Sequence, residues 1–254
     1  MNTIRQLISC LFLGSIILLA GCNDDDNNKN PDNGLEKGLV AHYSFKGGAA
    51  EDLSGNGNNG TVIGAESAGD QEFRENESMF FNSSTDMIYV ADPSFLDSDS
   101  GAFAAWVKFD DVSHTQYLGS VGDEGSTDHY MSFIRVDGTD QTIGIYWRQG
   151  LEANWIKSTV TVTTGVYYHM VLVSDGSQFK VYLDGEELTL TTIQGANNGN
   201  WIKDIADLDN FVIGSSLLKA PYTIPYVSGN IDEVRLYNRP LSPQEVLQLY
   251  ATTR

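Results

Sequence analysis

The chain predicts an all-β protein, an antiparallel two-sheet sandwich closed by one short C-terminal helix, and three observations carry that expectation. Short runs rich in Val, Ile, Tyr and Phe recur between residues 39 and 237, each bounded by Gly, Asn, Asp or Ser. Asp137-Gly138, Asp175-Gly176 and Asp184-Gly185 set residues tolerant of positive φ between or after these runs. A single capped helical segment follows from Ser242.

The first element is not part of that sandwich. One charge, Arg5, precedes an uncharged apolar run over 7–20, too short for a lasting membrane span and placed as a secretory signal. Leu19-Ala20-Gly21-Cys22 then reads as a lipoprotein cleavage site, so residues 1–21 are expected to be removed and Cys22 to carry lipid. An ordinary signal peptide with an incidental Cys22 is the alternative. Cys10 leaves with the signal, so the mature chain keeps no thiol for a disulfide, a zinc site or a nucleophile.

Residues 22–37 read NDDDNNKNPDNGLEK after the cysteine, with little to bury, and are expected to form a flexible acidic tether reaching up to about 50 Å. The chain's net charge of −19 argues against a nucleic-acid partner and against adsorption to anionic headgroups. Membrane contact is therefore expected through the lipid alone, in a bacterial envelope. Asn23 lacks the aspartate associated with inner-membrane retention, which favours the outer membrane, and Asp24-Asp25-Asp26 looks like a surface-export signal. The excess acid itself fits solubility and cation binding equally.

The folded domain is expected over 38–254. Strands are predicted at 39–45, 78–81, 87–91, 102–109, 117–121, 130–136, 142–148, 159–162, 167–174, 179–183, 211–215 and 231–237. Ser242 as N-cap, Pro243 at the first helical position and Glu245 closing a capping box predict a helix to about Tyr250, with Leu241 stapled onto Val246.

Motifs at both ends of this domain resemble the LamG-like jellyroll of the concanavalin A-like lectin and glucanase superfamily. In front stand Gly38-Leu39-Val40-Ala41-His42-Tyr43-Ser44-Phe45 and Asp52-Leu53-Ser54-Gly55-Asn56-Gly57-Asn58-Asn59-Gly60-Thr61. Behind stands Gly229-Asn230-Ile231-Asp232-Glu233-Val234-Arg235-Leu236-Tyr237-Asn238-Arg239-Pro240-Leu241-Ser242, with Ala105-Trp106-Val107 and Val181-Tyr182-Leu183-Asp184-Gly185 between. The resemblance implies a jellyroll whose first and last strands lie together. It leaves function open, because this superfamily holds sugar binders, glucan hydrolases, adhesion modules and spacers.

The resemblance also implies a structural Ca²⁺ between the 52–60 loop and the last strand, with Asp52 and Asp232 as side-chain ligands and Asn56 and Asn58 contributing carbonyl oxygens. The same Asn and Gly residues equally serve a turn. Hydrolases of this superfamily place glutamates around an aspartate on one strand. Here Asn230 and Arg235 occupy both flanking positions around Asp232, and alternation sets Glu233 on the opposite face, so no catalytic residue is expected.

Sugar binding needs aromatic faces with polar neighbours. Trp147 beside Arg148, and Trp155 and Trp201 in two copies of Asn-Trp-Ile-Lys, are the sequence's candidates, with His129 and Tyr130 on a polar groove. Capping the sandwich ends is the competing role for each tryptophan. The leading expectation is a lipid-anchored, calcium-stabilised module that binds a glycan. A structural or adhesive envelope protein with an extracellular protein partner comes second, and a glycoside hydrolase third.

Overall fold

The computed structural model describes residues 34–70, 72, 74–217 and 224–253. The signal segment, Cys22 and the tether up to residue 33 lie outside them. Seventeen strands run in chain order: β1 (Leu39–Tyr43), β2 (Thr61–Ile63), β3 (Glu66–Ala68), β4 (Ser78–Phe81), β5 (Met87–Val90) and β6 (Gly101–Phe109). Then come β7 (Gln116–Tyr117), β8 (Gly119–Gly122), β9 (His129–Val136), β10 (Thr142–Gln149), β11 (Glu152–Thr161) and β12 (Tyr167–Ser174). The last are β13 (Phe179–Leu183), β14 (Glu186–Glu187), β15 (Leu190–Gln194), β16 (Asn210–Ile213) and β17 (Gly229–Tyr237), followed by the helix α1 (Pro243–Thr252).

They form two antiparallel sheets. One has the order β14-β13-β12-β6-β17-β4-β3, with β1 also paired to β17, and the other runs β15-β11-β10-β9-β8-β16-β5-β2, with β7 on β9. As the resemblance implies, the first strand lies on the last, Leu39 opposite Tyr237 and Tyr43 opposite Val234. The main core fills the space between the sheets with side chains such as Phe103 and Phe133, stacked at 5.1 Å. Each such ring taken out of water contributes roughly 1.5–3 kcal/mol.

A second cluster sits under α1, where Leu241, Val246 and Leu249 pack on Ala102, Ala104, Val171 and Tyr237. The helix starts as its sequence dictates: the Ser242 hydroxyl accepts from the Glu245 N–H, and Glu245 accepts from the Ser242 N–H. Asp184 and Gly185 both take positive φ, 52° and 87°, in the tight turn from β13 to β14.

Four expectations need correction. Leu35, placed in the tether, is 2% exposed within the second cluster, and Arg239 holds the carbonyls of Gly34 and Lys37, so the folded part begins before Gly38. Phe45 does not extend β1; at φ 52° it starts a 3-10 turn at Lys46–Gly48. The 117–121 strand divides at Leu118 into β7 and β8. In place of a strand at 159–162 there is β11, ten residues long, whose polar Asn154, Lys157 and Ser158 hid its pattern.

Candidate functional site

The middle of the second sheet presents two faces. On β10, Ile143, Ile145 and Trp147 point into the core, while Tyr146 and Arg148 point away from it. On β11, Ile156 faces the core and Trp155 faces out. Three cross-strand pairs then bring outward residues together: Tyr146 opposite Trp155, Arg148 opposite Tyr130, and Tyr117 of β7 opposite Arg135 of β9. Opposed residues in a ladder have Cβ atoms only about 5 Å apart, so six large side chains gather on one patch.

That patch floors a groove of about 860 Å³ whose rim includes His114, Gln194 and Tyr226. Tyr130 and Tyr146 stack at 5.5 Å, His114 lies against the Tyr226 ring at 4.4 Å, and the Arg135 guanidinium sits 4.9 Å from the Trp155 ring centre. Arg135 donates to Asp137 at 2.9 Å, which fixes its direction. Burial pushes the Tyr117 hydroxyl up to about 12, against the opposing pull of Arg135, and burial also raises Tyr130 strongly. Both phenols therefore stay protonated hydrogen-bond donors at neutral pH.

Of the residues expected from the sequence to meet a ligand, Tyr130, Arg148 and Trp155 line this groove. Trp147 and Trp201 do not. They are 1% and 0% exposed, the Trp147 indole donates to the Trp201 carbonyl at 3.4 Å, and Trp201 packs on Phe133 and over Gly101, where an added Cβ would meet its ring at 2.6 Å. His129 lies elsewhere, beside Asp123 and Asp207, with one ligand atom from each within 4.8 Å of the others. Tyr117, Arg135, Tyr146, His114, Gln194 and Tyr226 were not anticipated. The alternation in Ile-Tyr-Trp-Arg was the available signal for Tyr146.

The four residues expected to hold Ca²⁺ do not make a cation cage. Asp52 has about four lone-pair positions, and all are taken: Oδ1 accepts from the His42 and Ser54 N–H groups, and Oδ2 from the Ser54 hydroxyl and the Asn58 N–H. The Asn58 carbonyl accepts the Tyr43 hydroxyl, and the Asn56 and Asn58 amides donate to the Val40 carbonyl. The loop is thus closed by N–H and O–H donors, which repel a cation. Asp232 is 1% exposed and is pushed up to about 8 by burial, with the charge of Glu233 adding to the rise.

The last strand also departs from plain alternation. A bulge between Asp232 and Arg235 sets Glu233 at φ 49°, where its carboxylate takes His42 at 2.9 Å and Arg235 at 3.0 Å. Burial works to raise Glu233, but those hydrogen bonds and charges outweigh it and hold it below its ordinary value. Neither Asp232 nor Glu233 lines the groove.

A two-sheet lectin-type sandwich with an aromatic groove on one outer face is the class that fold and site define. The chain belongs to the concanavalin A-like lectin/glucanases superfamily, whose family match covers residues 82–247. No curated protein sequence matches it. Among solved structures it is similar to domain 4 of AbnA, a GH43 extracellular arabinanase from Geobacillus stearothermophilus, in complex with arabinotriose. That match has 22% identity and a TM-score of 0.62 over 84% of this chain and 98% of the other. It is similar also to the Ruminococcus gnavus IT-sialidase CBM40 bound to alpha2,3 sialyllactose, at 18% identity and TM-score 0.57 over 84% and 100%. Trypanosoma rangeli sialidase in complex with sialic acid aligns at 20% identity and TM-score 0.62, over 85% of this chain but 33% of the sialidase. At these identities the likeness is one of fold.

Proposed function

We propose that this protein is a non-catalytic glycan-binding module, held to the bacterial envelope through lipid on Cys22, and that the groove over Tyr117, Tyr130, Tyr146 and Trp155 is where the glycan lies. The observation that carries the reading is the set of three cross-strand pairs, which places aromatic faces and arginine donors together on a rigid sheet. Aromatic faces cover the apolar side of a pyranose ring while fixed polar groups select its hydroxyls. The two small matched domains in complexes with arabinotriose and sialyllactose support the reading. A structural calcium is not part of it, because Asp52, Asn56 and Asn58 are spent on their own loop and burial favours the protonated form of Asp232.

Titration of the domain against a panel of neutral and acidic oligosaccharides tests the proposal. Trp155→Ala and Tyr146→Ala are expected to weaken the best binder at least ~10-fold with the melting temperature nearly unchanged, since one aromatic face is worth about 1.5 kcal/mol. Failure to bind any member of a chemically diverse panel would overturn the reading.

A further inference from the structure

The groove is unusual in the balance of its polar groups. The chain as a whole carries 34 acidic and 15 basic residues, yet the groove is lined by Arg135, Arg148 and His114 against one carboxylate, Asp111. Asp111 is itself occupied: its two oxygens accept the N–H and the hydroxyl of Ser113, and His114 lies at 3.5 Å. The flanking carboxylates are accounted for as well. Asp137 is paired with Arg135, and Asp128, near Arg148, accepts the Ser126 hydroxyl at 2.7 Å.

The lining combines groups that give and take hydrogen bonds with two side chains that only give. Tyr117, Tyr130 and Tyr146 contribute hydroxyls that give and take, while the guanidinium groups of Arg135 and Arg148 only donate, Arg148 already giving its Nε–H to the Gly150 carbonyl at 3.2 Å. The Nε–H of Arg135 is buried with no acceptor among the described residues, although the same side chain bonds Asp137 through its terminal nitrogen. A buried donor without an acceptor is a costly arrangement that a bound oxygen would relieve. A carboxylate only accepts, with about four positions, and matches the planar fork of arginine.

Building on the proposed glycan groove, we infer that its ligand is an acidic glycan, a chain with a pyranose ring bearing a carboxylate, which Arg135 and Arg148 recognise while Trp155 and Tyr146 lie against the ring. The carboxylate is the shared chemistry of uronic and nonulosonic sugars, and paired probes distinguish the two. Calorimetric titration would compare trigalacturonate with its carboxyl-reduced form, and sialyllactose with lactose.

At least one acidic member is expected to bind ~10-fold or more tightly than its neutral twin, the size of one charge-assisted hydrogen bond. Arg148→Gln, on the groove lining, is expected to remove that preference while leaving the melting temperature in place. Arg135→Gln should do the same if it folds; the Arg148 variant decides the matter if it does not. Equal affinity within each pair, or an acidic preference that survives Arg148→Gln, overturns the inference. If Trp155→Ala still abolishes that binding, the glycan groove stands and only its ligand class is wrong. Absence of binding to all four probes and to the wider panel overturns both.

Discussion

Trp147 and Trp155 stand on adjacent strands of one sheet, β10 and β11, with the same side chain and opposite surroundings. Trp147 is closed in the core against Trp201, while Trp155 lies on the outer face beneath Arg135. Removing a buried indole leaves a cavity, so Trp147→Ala is expected to cost about 3–5 kcal/mol, measured by urea unfolding. His169 makes a second residue-scale case. Its ring lies 5.2 Å from Trp106 and 6.0 Å from Tyr250, and burial, with the charge of Arg235 adding, drives its pKa from 6.5 to about 3. Between those values the unfolded chain takes a proton that the folded one refuses. This contribution is whole above pH 6.5 and is lost as pH falls toward 3, by up to about 1.4 kcal/mol per pH unit. Urea unfolding of His169→Phe should show a shallower dependence across that window than the parent.

At the scale of elements, the Asp52 carboxylate gathers four of the hydrogen bonds that hold the 52–60 loop. Asp52→Ala strands four donors and is expected to cost about 1–3 kcal/mol. Because the loop closes on hydrogen bonds, the melting temperature of the parent should be unchanged by a calcium chelator; a fall of several degrees would show that other oxygens bind the ion. Helix α1 was legible in the sequence because its cap chemistry is local: Ser242 and Glu245 answer each other within four residues. Strand β11 was not, since its meaning depends on which strand it pairs with. The two Asn-Trp-Ile-Lys copies illustrate the limit. One lies in β11 with its tryptophan outside; the other leads into a 3-10 turn with its tryptophan in the core. Four letters do not set burial when tertiary packing decides it.

At the scale of the whole molecule, the fold was readable from the ordered motifs at the two ends, and the pairing of β1 with β17 is their structural sense. The site was readable only in part. Trp155, Tyr130 and Arg148 stood out by residue type, but sequence adjacency suggested Trp147 with Arg148, and the pleat sends neighbours to opposite faces. Arg135 and Tyr117 are brought in by pairing between separate strands, which no single segment reveals.

The meeting of the first strand with the last reaches beyond stability. Gly34 sits by the first turn of α1, and α1 is ten residues long, so the described ends of the domain are separated by about 15 Å. A linker of about five or six residues spans that gap. To the fold, the chain is therefore close to a circle, one that can be cut at a solvent-facing turn and rejoined at its old ends, or spliced into the surface loop of a host protein without prising that host apart.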